Sequence, residues 1–132
     1  GIDYYWGSGP SDPYVDSVLD QAKRASVTVF GVYTPAAGHS GYSFWRIWWG
    51  QIYLSRICEK TGGESYGVGF FGPPVSVRPY LDDVSRHLNH QYWLTLLAVP
   101  GKKSGLQPVR LTTEAPSVEL VGADSVYVPA QP

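Results

Sequence analysis

Residues 27–34, VTVFGVYT, are rich in β-branched and aromatic side chains and show no polar alternation. This is the pattern of a strand covered on both faces. Strands of that kind belong to α/β folds, in which helices lie on either side of a mostly parallel sheet. The flanks agree with that reading. Upstream, Asp12-Pro13 forms a helix start, because Asp accepts from the free amides of the first turn and Pro lacks the amide that would go unpaired there. Val15, Val18, Leu19, Ala22 and Ala25 then fall at helical spacing, so an amphipathic helix is expected over 13–25, covering one face of a sheet.

Downstream, a second helix is expected from Trp48 to Lys60, ended by Thr61-Gly62-Gly63, since glycine takes the left-handed conformation that closes a helix without a steric penalty. A short strand follows at 64–68. Ser76 caps a third helix over 77–90, with Val77, Leu81, Val84, Leu88 and Gln91 on one stripe. Residues 92–99, YWLTLLAV, read as a second buried strand. The chain after the Lys102–Gly105 turn reads as a strand paired antiparallel to it through Val109, Leu111 and Thr113. Short edge strands are expected at 118–121 and 126–128. The sum is an α/β domain with a partial doubly wound, Rossmann-like sheet of about four to six strands, about three helices and an antiparallel C-terminal hairpin. No internal repeat or linker divides the 132 residues, which suit one domain.

Ten basic residues against eleven acidic ones leave a net charge of −1, with no basic stripe, so nucleic-acid binding is excluded. No run approaches a membrane span. One cysteine, Cys58, excludes an internal disulfide and reads as a small buried hydrophobe.

The motifs that resemble chemistry have plainer explanations. Gly67-Val68-Gly69-Phe70-Phe71-Gly72 has dinucleotide-loop spacing, but Pro73 and Pro74 follow it and supply no amide to a phosphate. His87 and His90, with Asp83 one turn before His87, are placed for metal binding or proton transfer, yet no third ligand is visible along the sequence, so no metal or other cofactor is assigned. His39 with Asp3 or Asp12 forms the weakest reading, a hydrolase, because no nucleophile and base are tied by a motif.

The order of parts resembles a known family. The carriers are Gly1-Ile2-Asp3, the strand ending in Tyr33-Thr34, Leu54 to Lys60 leading into Thr61-Gly62-Gly63-Glu64, then Tyr80-Leu81-Asp82-Asp83 and Leu88-Asn89-His90-Gln91-Tyr92. Together they resemble the C-terminal half of a von Willebrand factor type A domain of the bacterial VWFA-related kind, over residues 1–115, with a β extension at 116–132. The resemblance implies a doubly wound sheet, a non-enzymatic protein-interaction role and an extracytoplasmic or secreted parent. It also implies a metal-ion-dependent adhesion site built from an Asp-x-Ser-x-Ser loop, a threonine and an aspartate before a glycine. Gly1 matches that glycine and Asp3 does not match the aspartate, so none of those ligands is carried over. Without a fourth-strand neighbour, the edge near 27–34 is expected to pair with a protein partner or a second copy, or to be covered by a rearranged N-terminal segment.

Residues 38–50, GHSGYSFWRIWWG, then fall on the rim where ligands of open α/β sheets sit. Trp49 and Phe44 are expected to lie over the core. His39, Tyr42, Trp45, Arg46 and Trp48 are the candidate partner-binding residues, with glycan stacking on the rings as the alternative use.

Overall fold

The computed structural model describes residues 12–34, 44–68 (44–46 as backbone), 76–95, 97–98 and 103–130. Three helices and four short strands occur among them, in the order α1 (Pro13–Arg24), β1 (Gly31–Tyr33), α2 (Phe44–Lys60), β2 (Ser65–Gly67), α3 (Arg78–Asn89), β3 (Gly105–Pro108) and β4 (Ser125–Val128). The class is α/β as expected. No described helix is long and apolar enough to cross a membrane.

β1 and β2 pair in parallel, with Gly31 opposite Ser65, Val32 opposite Tyr66 and Tyr33 opposite Gly67. Side chains alternate across a strand, and here the alternation assigns the layers. Gly31 meets Leu54 of α2, and Tyr33 lies against Gly50 of the same helix. Ser65 shares a hydrogen bond of 2.8 Å with Ser55, also on α2. On the other face, Phe30 approaches His87 and Tyr66 packs on Tyr80, both from α3. The parallel pair is therefore sandwiched between α2 and α3. Gly31 has no room for a side chain, because an added Cβ would lie 2.8 Å from Leu54 Cγ.

The start of α1 forms as the sequence dictates. Asp12 Oδ1 accepts from the amides of Tyr14 (2.9 Å) and Val15 (3.4 Å), with Pro13 in the first turn. The helix packs on α2 and β4 rather than covering the parallel sheet, with Leu19 buried and an Arg56–Asp16 ion pair of 2.7 Å joining it to α2. Cys58 is fully buried, and that burial, followed by the charge of Glu59, raises its thiol pKa, so it behaves as the expected inert hydrophobe.

Thr61-Gly62-Gly63 forms the hub of the molecule. Gly62 closes α2 at φ +82°, donating to Glu59 O, while Gly63 donates to Cys58 O. The buried Thr61 hydroxyl reaches the carbonyls of Ile57 and Cys58 and accepts the amide of Val29 at 3.1 Å. Thr61 also bridges Ala123, which joins the end of α2 to the C-terminal segment. Next to it, Asp124 pairs with both Lys23 and Lys60, and the Arg24 guanidinium lies 4.9 Å over the Tyr127 ring.

Five expectations are corrected. β1 spans three residues and alternates buried, exposed and half-buried, so it is not covered on both faces along its length. The reason is that α3 touches only part of that side. Helix α2 begins at Phe44, one turn before the expected Trp48. Residues 91–95 and 97–98 form no strand, and Trp93 and Leu97 are fully exposed. An apolar run does not become a strand without a neighbour to bond. Finally, β3 pairs antiparallel with β4, from Gly105 opposite Val128 to Pro108 opposite Ser125, and not with 92–99. Residues 118–121 form no strand.

Candidate functional site

The residues nominated along the sequence are spread apart. His39 and Tyr42, and the hydrolase candidate Asp3, lie outside the described residues. Trp45 and Arg46 fall in the first turn of α2. Trp48 is half-buried, its ring 6.0 Å from Trp49, and Trp49 stacks on Tyr53 at 6.1 Å. Asp12 is a helix cap.

The strongest cluster lies instead between α3 and the sheet. The helix docks through Tyr80, Asp83, Val84 and His87, all half-buried, and no residue of α3 is fully buried. Of the apolar stripe expected to face inward, Val84 is half-buried while Leu81 and Leu88 point out, 55% and 51% exposed. The physical reason lies in what the sheet presents: Phe30, Glu64 and Tyr66 offer aromatic and polar partners. The Tyr66 ring packs on Tyr80 at 5.6 Å, and its hydroxyl donates to Asp83 Oδ2 at 2.7 Å and approaches Glu64 Oε2 at 3.4 Å. Burial, followed by the charge of Glu64, raises the Tyr66 phenol above its ordinary value, so it remains a donor at neutral pH.

His87 Nε2 stands 3.2 Å from Glu64 Oε2 and 3.6 Å from Asp83 Oδ2. One ligand atom from each of Glu64, Asp83 and His87 lies within 4.8 Å of the other two. Arg86 pairs with Asp83 from the same helix. His90, the other half of the sequence-level histidine pair, is not part of this cluster. Its Nδ1 lies 2.7 Å from Arg86 O, the helix-end role that its position predicts.

Sequence reading finds Asp83 and His87 but misses Glu64 and Tyr66. They stand at the start of β2, and the visible signal was an acidic residue and an aromatic opening a strand next to a helix that carries His and Asp one turn apart. No model of a known protein family, no curated protein and no solved structure matches this chain.

Proposed function

We propose that the chain is a non-enzymatic protein-interaction module, of the kind implied by its resemblance to the C-terminal half of a von Willebrand factor type A domain and without that family's adhesion site. One observation carries this reading. Among the described residues, β1 has a strand neighbour on one side only, and Val27 and Val32 stand exposed beside that edge. In a parallel pair, alternate residues direct their amide and carbonyl groups to opposite sides of the strand. The bonds from Gly31 N to Glu64 O and from Val68 N to Tyr33 O face β2, which turns the backbone of Val32 toward the open edge. Such an edge is a template for another strand.

The partner we propose is a second copy of this chain, which would widen the parallel pair toward the doubly wound sheet of four to six strands. Near-zero net charge leaves little repulsion between copies.

Sedimentation velocity over a broad concentration series tests this. The expected result is reversible dimerisation that Val32→Lys weakens by at least about tenfold, because a lysine on an edge strand opposes pairing. A monomer throughout, or a dimer equally strong in Val32→Lys, overturns the reading.

A further inference from the structure

We propose that Glu64, Asp83 and His87 form a binding site for Zn²⁺, and that the ion ties α3 to the parallel sheet. Zinc takes nitrogen and oxygen ligands at about 2.0–2.2 Å, so two ligand atoms on one tetrahedral ion lie roughly 3.4 Å apart. His87 Nε2 is 3.2 Å from Glu64 Oε2 and 3.6 Å from Asp83 Oδ2, and all three ligand atoms lie within 4.8 Å of one another.

The donor set favours a borderline transition metal over the hard cations, and we take Zn²⁺ as its representative. One imidazole with two carboxylates suits zinc, whereas Mg²⁺ and Ca²⁺ favour all-oxygen surroundings. Three protein ligands leave a fourth position open to water or to an incoming group, and the exposure of Glu64 places that position at the surface.

Two further features support the site. The Tyr66 hydroxyl donates to Asp83 and approaches Glu64, which is how outer partners orient ligating carboxylates. The helix also docks by its polar face while Leu81 and Leu88 remain outside. Arg86 already pairs with Asp83, and a cation between the two carboxylates and the imidazole would compensate the remaining charge of Glu64.

Calorimetric titration of the full chain with Zn²⁺, with Mg²⁺ and Ca²⁺ as separate arms, decides the matter. The expected result is one zinc per chain, much weaker binding of the other two ions, and a zinc-dependent rise in Tm. Glu64→Gln, an exposed change outside the helices, is expected to lower zinc affinity by at least about tenfold, and Tyr66→Phe by about tenfold, the loss typical of an outer partner. His90→Ala is expected to leave affinity unchanged. Far-UV circular dichroism verifies that Glu64→Gln keeps the fold, and the tighter-bound wild type serves as the reference for Tm. Failure of the wild-type chain to bind zinc, or binding left undiminished by Glu64→Gln and by His87→Ala, overturns the assignment.

Discussion

Gly63→Ala is expected to lower stability by about 3 kcal/mol, read as a fall of roughly 10 °C in Tm or as a matching shift of the urea midpoint. An added Cβ at Gly63 would fall on the carbonyl oxygen of Val29 and press Thr28 Cγ2 at 3.3 Å. The obstruction is backbone, so no rotamer change relieves it. Moving Gly63 away would stretch its own bond to Cys58 O and the Val29 amide bond to Thr61 Oγ1, which together hold the lead-in to β1 against the end of α2. Gly105→Ala provides the control: no atom lies within 4 Å of the added methyl, and a change within about 0.5 kcal/mol is expected. Equal stability of Gly63→Ala and the parent would show that the hub tolerates separation of α2 from β1.

Asp124→Asn is expected to cost about 1–2 kcal/mol near neutral pH. The Lys23 side chain is only 10% exposed and has Asp124 as its charged partner, while Ser125 Oγ at 2.9 Å offers a neutral one. Removing one member of such a pair leaves an under-compensated charge, but Asp124 is itself 41% exposed, so solvent screening reduces the loss below that of a fully buried pair. Burial works to raise the Asp124 pKa, and hydrogen bonds from Lys23, Lys60 and Ser125 outweigh it, holding the carboxyl well below the usual range. The sign follows directly. A depressed folded pKa stabilises the fold at every pH above the unfolded value of about 3.9, and that stabilisation fades as pH falls below it. The gap in stability between parent and Asp124→Asn should therefore be constant from pH 8 to 5 and close on acidification below about 4. A gap that instead widens in acid would contradict the pairing.

Local chemistry was legible wherever neighbours in sequence carry it. Asp12-Pro13 makes its cap from atoms two and three residues away, and Thr61-Gly62-Gly63 ends a helix through its own backbone conformation. What the sequence concealed was the choice among apolar surfaces. Helix α3 offers an apolar stripe through Leu81 and Leu88 and a polar one through Asp83 and His87, and periodicity favours the first. The sheet decided otherwise, because Phe30, Glu64 and Tyr66 come from segments whose juxtaposition depends on parallel pairing of β1 with β2. The third member of the Glu64, Asp83 and His87 cluster was hidden for the same reason. Residues 92–95 and 97–98 illustrate the converse: composition writes a strand, but hydrogen-bonding partners make one, and none is present among the described strands. The Lys23, Lys60 and Asp124 cluster joins residues 101 and 64 positions apart, beyond the reach of any spacing rule.

The polar docking of α3 has a consequence for motion. Its attachment rests on a few aromatic and charged contacts, and none of its side chains is fully buried. Free energy for local opening scales with such burial, so α3 should detach as a unit while α2, anchored by Cys58 and Thr61, remains closed. In native-state hydrogen exchange, amides in the middle of α3 should then exchange well ahead of those around Cys58. The helix would behave as a hinged flap whose opening uncovers one face of the parallel pair without unfolding the rest.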